Sequence, residues 1–191
     1  MREPRSRRTL LASALPVSIA LAGCFEFTSS DETTADTVSP DEYDCDDVER
    51  PEPSPSDDDA ALEPASYPER LASLSDDAVE FVEEFEAAYR RNGYIAEYGS
   101  ETREFEFQLD DRESELIDDD EETDREAVLV SITYELTTQL RQASPRSNRL
   151  ARVTYYVDEN IVLRARYDGF ADEAELDPDP RQRGEPVACF D

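Results

Sequence analysis

The amino-acid sequence predicts an α+β domain in which one N-terminal helix packs on a four-stranded antiparallel meander. Apolar residues recur at helical spacing between residues 78 and 89, and from about residue 104 onward they alternate with polar residues, as in strands. A helix followed by a run of strands favours separate helical and sheet layers. Once a leader and a polar spacer are set aside, about 120 residues remain, the size of one small domain. We assign residues 69–191 to that domain.

The predicted helix begins near Ser75, a residue type that caps helix N-termini, and carries acids in its first turn, where the helix dipole favours negative charge. Its apolar positions share one face: Ala78, Val79, Val82, Phe85, Ala88 and Tyr89. Asn92 and Gly93 are residue types that end helices, so we expect a helix of about 16 residues. The remaining acids are expected to form a solvated face: Glu80, Glu83, Glu84 and Glu86.

Two runs of alternating residues, over 104–109 and 128–136, predict the first two strands. An acidic stretch, residues 118–122, connects them. Its carboxylates could offer hard oxygen ligands to Ca²⁺ or Mg²⁺, but the stretch lacks the glycine and the alternating ligand spacing of an EF-hand loop. We therefore expect a solvated loop there and no metal site.

The next two runs, residues 150–157 and 161–168, predict a tight hairpin with a short terminal strand after it at 186–190. A three-residue loop, Asp158 to Asn160, places the apolar residues on one side of both strands, whereas a two-residue loop scatters them over both faces. The predicted pairs are Val157 with Ile161, Tyr155 with Leu163, Val153 with Ala165 and Ala151 with Tyr167.

This register gathers three arginines on the outer face of the hairpin, with Arg152 opposite Arg166. Facing like charges destabilise a sheet unless acids neutralise them. One interpretation is that Glu135 or neighbouring carboxylates pair with these arginines. The other is a contact surface for an acidic partner or an anionic cell-surface polymer. The candidate binding face consists of Arg152, Tyr156, Arg164 and Arg166.

Residues 1–23 have the composition of a targeting segment, with an arginine-rich start and an apolar stretch from Leu10 to Ala22 that is too short to span a membrane. The pair Arg7-Arg8, followed by Thr9 and two leucines, resembles the twin-arginine export signal. The alternative is the positively charged N-terminal region of an ordinary export signal. The run from Leu21 to Cys24 resembles a lipobox, which implies a lipid on Cys24. The alternative is an unmodified thiol near an ordinary cleavage site.

Residues 24–68 are dominated by acids, serine, threonine and proline, a composition that buries too little apolar surface to offset the entropy of ordering. We expect an extended tether; the alternative is an arm that packs on the domain.

With Cys24 assigned to lipid, Cys45 and Cys189 form an even pair in an oxidising exterior, which predicts a disulfide, although two free thiols remain an alternative. A nucleophilic cysteine lacks any histidine to activate it.

The charge balance is extreme: 49 acids stand against 19 basic residues, for a net charge of -30, and no lysine occurs. Such self-repulsion is screened in molar salt, where the Debye length is roughly 3 Å. The composition therefore indicates adaptation to salt. It argues against a nucleic-acid partner, because binding phosphates requires a concentrated basic surface.

The order of elements is similar to that of cystatin-like and NTF2-like folds. More specifically, the twin arginines, the lipobox, the acidic proline-rich spacer, the helix segment from Asp77 to Glu86, the strand around Tyr155–Val157 and the final Cys189-Phe190 together resemble a family of haloarchaeal lipoproteins to which no activity is assigned. The resemblance covers most of the chain. It implies a location and a fold, and it carries over no catalytic residue.

The sequence contains no histidine and only five glycines, scattered singly, which argues against zinc sites, Ser-His-Asp chemistry and glycine-rich phosphate loops. We expect no catalytic residue and no cofactor. The leading hypothesis is a non-enzymatic binding or envelope-associated module, held on the outer face of the cell membrane by lipid on Cys24. The alternative is a ligand-binding or enzymatic NTF2-like domain that uses a cavity between helix and sheet. Residues proposed for that cavity are Tyr89, Tyr134, Tyr167 and Glu97.

Overall fold

A computed structural model describes residue 45 and residues 48–118, 126–147 and 150–190. Two α-helices lie within these ranges, α1 (Leu74–Tyr98) and the one-turn α2 (Pro180–Arg183), and a 3-10 turn, Gly99–Glu101, follows α1. The strands are β1 (Thr102–Asp118), β2 (Glu126–Leu140), β3 (Arg146–Ser147), β4 (Ala151–Asp158), β5 (Ile161–Arg166) and β6 (Glu185–Cys189). The α+β class is confirmed, whereas the sheet in these ranges has six antiparallel strands rather than four.

The sheet is a meander with the order β1-β2-β4-β5-β6, and the short β3 pairs with β2 beyond the stretch that pairs with β4. The predicted runs at 104–109 and 128–136 lie inside β1 and β2, and the predicted terminal strand corresponds to β6. Helix α1 lies on one face of the sheet. The acidic loop predicted at 118–122 falls, apart from Asp118, outside the described residues.

Helix α1 is longer than predicted because Asn92 and Gly93 do not end it. The Asn92 side chain is buried and binds the backbone of Ala65, accepting from its N–H at 2.8 Å and donating to its carbonyl at 2.9 Å. The amide is therefore used for a tertiary contact, and the helix continues for six more residues to Tyr98. Gly99, with a φ of 54°, supplies the left-handed backbone that ends the helix, and its N–H donates to Ile95.

The predicted register of the β4–β5 hairpin is wrong by one residue. Val157 pairs with Val162 and Tyr155 with Arg164, so that only Glu159 and Asn160 form the loop. The carboxylate of Asp158 closes this turn, because its Oδ1 accepts hydrogen bonds from the backbone N–H groups of Asn160 and Ile161 at 2.7 and 2.8 Å. Both faces of β4 are buried, so the apolar alternation could not determine the register.

The apolar core has two layers, one on each face of the sheet. The layer beneath α1 contains the alternate residues of β2 and β4 together with the apolar stripe of the helix: Val82, Phe85, Val130, Ile132, Val153 and Val157 are among them. The second layer includes Leu129, Ile161 and Leu163, and the chain between β5 and β6 covers it through residues such as Leu176. Each such side chain contributes about 1.5–3 kcal/mol on full burial.

The described part of the predicted tether, residue 45 and residues 48–68, packs on the domain as an arm, which was the alternative interpretation. The Asp58 carboxylate accepts from Arg103 of β1 at 3.1 Å, and the Arg91 Nε of α1 donates to the Glu63 carbonyl at 2.7 Å. The predicted disulfide is present and joins Cys45 to Cys189 at the end of β6. The arm is thus fixed at both of its ends, whereas Arg7, Arg8 and Cys24 lie outside the described residues.

Candidate functional site

The centre of the helix–sheet interface holds a buried charge, the carboxylate of Glu86. Glu86 was expected on a solvated face, and that prediction is wrong: the side chain has 0% exposure. It follows Val82 by four residues and therefore lies in the apolar stripe of α1. The register of β5 turns Arg164, which is 7% exposed, toward the same interior.

Four hydrogen bonds saturate the Glu86 carboxylate. The Arg164 guanidinium donates to it twice, through Nε and Nη2, both at 2.8 Å. The hydroxyl of Tyr134 donates to Oε1 at 2.5 Å, and that of Tyr155 donates to Oε2 at 2.6 Å. A carboxylate has about four lone-pair sites, so Glu86 has no acceptor capacity left for another group. The Tyr89 ring covers the cation from outside, with its centroid 4.5 Å from the Arg164 guanidinium carbon.

The electrostatics of this cluster keep Glu86 ionised. Burial alone would raise its pKa, but the positive charge of Arg164 and the hydrogen bonds from Arg164 and the two tyrosines hold the pKa below its usual value. Burial, reinforced by the negative charge of Glu86, raises the pKa of Tyr134 and Tyr155. Both tyrosines therefore remain protonated donors. The cluster is a fully paired structural network inside an apolar core.

The predicted binding face does not form, because the corrected register divides its residues between the two faces of the sheet. Arg164 and Arg166 point to the side of α1, where Arg166 is exposed, whereas Arg152 and Tyr156 point to the opposite side. Tyr156 is buried there and its hydroxyl donates to Asp158 at 3.0 Å. The prediction of one shared outer face is wrong.

Arg152 is also buried and paired. Its Nη1 donates to the Glu175 carboxylate at 2.5 Å and to the Glu173 carbonyl at 3.3 Å, and its guanidinium carbon lies 3.9 Å from the centroid of the Tyr167 ring. Carboxylates thus neutralise two of the three arginines, as one interpretation expected. The acids are Glu86 and Glu175, however, and not Glu135.

An open pocket lies at the C-terminal end of α1, between that helix, β1 and β2. Its volume is about 400 Å³. Aromatic rings form much of its wall: Tyr89, Tyr94, Tyr98 and Phe105. The ring centroid of Tyr94 is 4.9 Å from that of Tyr98 and 6.3 Å from that of Phe105. Polar groups also line the pocket, namely Arg90, Glu97, Thr138, Ser144 and Arg146.

Arg90 is half-buried and differs from Arg164, the buried arginine of the helix side. Its Nε is buried and donates to no acceptor among the described residues. A buried donor left without a partner costs about 1–3 kcal/mol. Burial and the charge of Glu86 raise the pKa of Tyr134, and the positive charge of Arg90 partly opposes that rise. Arg90 therefore lines the pocket and also acts electrostatically on Tyr134 of the buried cluster.

Two of the four residues proposed for a helix–sheet cavity, Tyr89 and Glu97, do line this pocket. Tyr134 instead belongs to the Glu86 cluster, and Tyr167 lies on the opposite face of the sheet against Arg152. Three further lining residues, Arg90, Arg146 and Phe105, were not predicted at this site. The signal for Arg90 was its position one residue after Tyr89 at the edge of the apolar stripe.

Within residues 48–118, 126–147 and 150–190 and at Cys45, no group of three or more cysteines and acids is arranged to hold a metal ion. No helix in the same part of the chain is both long and apolar enough to cross a membrane. The fold and the site define an α+β domain with a saturated ionic cluster in its core and an aromatic pocket beside it. Comparisons with protein-family models, curated proteins and solved structures each returned no match.

Proposed function

We propose that the protein is an exported, lipid-anchored module of a salt-adapted archaeon that binds a small molecule in the aromatic pocket at the end of α1. The observation that supports this most directly is the pocket itself, about 400 Å³ in volume and open to solvent, beside a core in which Glu86 and Arg164 are fully paired. Pockets for small ligands commonly measure about 300–1,000 Å³ and combine aromatic walls with a few polar groups.

Binding fits the lining residues better than catalysis does. Tyr89 lines the pocket and covers the Glu86 cluster, but the Glu86 carboxylate has its four acceptor sites occupied and cannot take a proton from a bound substrate without breaking the cluster. The sequence has no histidine to serve instead, and the acid that lines the pocket, Glu97, is exposed to solvent. Arginines, hydroxyl groups and aromatic rings are suited to holding and orienting a ligand.

The proposed location rests on the sequence of the first 24 residues and on the net charge of -30. A lipid on Cys24 would be the membrane attachment, since anionic lipid repels a chain with a net charge of -30. The arm between Cys45 and Tyr67 would then connect the anchor to the folded domain. Mass spectrometry of the native protein should find the chain beginning at a lipid-modified Cys24, and an intact leader would contradict the proposal. Cys24→Ser should release the protein from the membrane or leave it unprocessed.

Ligand-observed NMR with a mixture of phenylacetate, phenylacetamide and cyclohexylacetate tests the pocket on the purified protein in molar KCl. We expect at least one aromatic compound to bind and Ser144→Trp, which places a large ring at the pocket, to abolish the binding. The matched control is Ser114→Trp at an exposed position on β1, which should leave binding unchanged. Absence of binding by all three compounds, or equal binding in both variants, would contradict the proposed function.

A further inference from the structure

We infer that the pocket at the end of α1 selects an aromatic carboxylate, whose anionic group is bound by Arg90. This inference rests on the proposed function and adds the class of ligand. Its first support is charge. Acids outnumber basic residues 49 to 19 in the chain, yet the described residues that line the pocket include two arginines, Arg90 and Arg146, and one acid, Glu97. The described lining of the pocket therefore has a net positive charge, although the chain as a whole is acidic.

The second support is the state of the arginines. Arg164 is paired with Glu86, Arg152 with Glu175, and Arg103 and Arg141 share Asp58 in the arm. Arg90 forms no ion pair with any described residue. Its buried Nε lacks an acceptor, as does the buried Nε of Arg152, but the guanidinium of Arg152 is already paired through Nη1. A guanidinium presents its donors as a planar fork that matches a carboxylate. The Arg90 side chain lines the pocket, so a ligand carboxylate there would pair with its guanidinium.

The third support is the position of the opposing charge. Glu97 is exposed at the rim of the pocket, where water and salt screen its field, whereas the Nε of Arg90 is buried. Screening acts strongly on exposed charges and weakly on buried ones. Arg90 should therefore dominate the choice between an anion and a cation.

The fourth support is the aromatic wall. The rings of Tyr94, Tyr98 and Phe105 stand with centroids 4.9 and 6.3 Å apart, at interplanar angles of 56° and 40°. These separations are typical of tilted and edge-to-face aromatic contacts, and another ring can join them in the same way. An aromatic body with a carboxylate on a short arm uses both the wall and Arg90.

The test compares two probes of nearly the same shape, phenylacetate and the neutral phenylacetamide, by titration calorimetry in 1 M and 3 M KCl. We expect phenylacetate to bind roughly tenfold more tightly than phenylacetamide, as a desolvated charge-assisted pair would give. Equal affinity for the two probes would overturn the inference while leaving the proposed function intact. Binding of neither probe would overturn both.

Variants then assign the anion contact to Arg90. Arg90→Gln should reduce the preference for phenylacetate to within about twofold, and Arg112→Gln, at an exposed position on β1, should retain it. A preference that survives in Arg90→Gln would overturn the assignment to this residue. Circular dichroism confirms that each variant is folded, and the comparison of the two probes on the unmodified protein stands independently of any variant.

Discussion

Glu86 on α1 and Arg164 on β5 are 78 residues apart in sequence and form a two-point ion pair, with both N···O distances at 2.8 Å, inside the core of the domain. A buried pair of this kind contributes less to stability than its geometry suggests, because both charges lose their hydration. The pair does favour one register of the hairpin: Arg164 points toward the helix where it pairs with Tyr155, and a slip by one residue would turn it to the opposite face. The pair therefore helps to specify which of two similar hairpin registers the chain adopts.

Removal of one member of this pair should be strongly destabilising. Glu86→Gln leaves Arg164 buried without a counter-charge, and we expect the free energy of unfolding to fall by about 3–5 kcal/mol. Urea denaturation followed by circular dichroism measures the loss. The matched control is Glu84→Gln on the exposed face of the same helix, where we expect a change within about 0.5 kcal/mol. The quadruple variant Glu86→Leu, Arg164→Met, Tyr134→Phe, Tyr155→Phe, which also removes the two hydroxyls that donate to Glu86, should recover most of the lost stability. A quadruple variant as unstable as the single one would contradict the ion-pair explanation.

Acid should remove the contribution of Glu86 gradually. Because the pKa of Glu86 in the folded protein is below its usual value, its stabilisation is complete above the unfolded-state pKa of about 4.3 and declines as the pH falls from there toward the folded-state value. The slope approaches about 1.4 kcal/mol per pH unit in that window. Urea unfolding at pH 7, 5, 4 and 3 should show the difference between the unmodified protein and Glu86→Gln shrinking below pH 4.3. A difference that is constant with pH would contradict the assignment.

The sequence predicted the order of the main elements well, because the helix and the first two strands each have one clear apolar periodicity. It failed at Glu86 and at the β4–β5 register for a common physical reason. Both inferences took polarity as a sign of exposure, and this fails where a charge is paired inside the core and where both faces of a sheet are covered. The chain from Tyr167 to Gly184 that covers the second face has no periodicity that would have revealed its position.

The pocket was predicted only in outline. A cavity between helix and sheet was the alternative hypothesis, and Tyr89 and Glu97 were among the residues proposed for it. The rest of its wall is formed by β3, which has two residues, and by the part of α1 that extends past Asn92. Neither feature has a local sequence signal: the extension depends on the tertiary contact between Asn92 and the arm.

The disulfide should be a large contribution to stability. It closes a loop with a sequence separation of 144 residues, for which the chain-entropy model gives roughly 5 kcal/mol. We expect the double variant Cys45→Ala, Cys189→Ala to unfold at a much lower guanidinium concentration than the oxidised protein. Treatment of the unmodified protein with a phosphine reductant should give the same midpoint as the variant. If oxidised and reduced protein unfold at the same midpoint, the bond has no role in holding the arm to β6.

The arm should depend on Asn92. Asn92→Asp keeps an oxygen for the Ala65 N–H but places a second oxygen against the Ala65 carbonyl, in place of a donor. We expect a loss of about 1–3 kcal/mol and faster hydrogen exchange in residues 61–67. Asn160→Asp, at an exposed turn position, adds the same charge and should leave exchange in the arm unchanged. Exchange that is equally protected in Asn92→Asp would show that other contacts suffice to hold the arm.

Salt should decide whether the domain is folded at all. Exposed acids line the outer surfaces of α1 and β1, and their mutual repulsion acts over a Debye length of about 10 Å at 0.1 M salt but only about 3 Å at 1 M. We expect the melting temperature to rise steeply between 0.1 and 3 M KCl, with NaCl acting equally if screening is the cause. In a variant with six exposed acids changed to Gln, the melting temperature should depend less on salt because less repulsion remains to be screened. The six acids are Glu80, Glu84, Glu104, Glu106, Glu113 and Glu115. A melting temperature that is flat or falling with salt would contradict the adaptation inferred from the net charge of -30. If the melting temperature of the six-residue variant rises with salt as much as that of the unmodified protein, the salt effect comes from apolar burial, because excluded salts also strengthen burial.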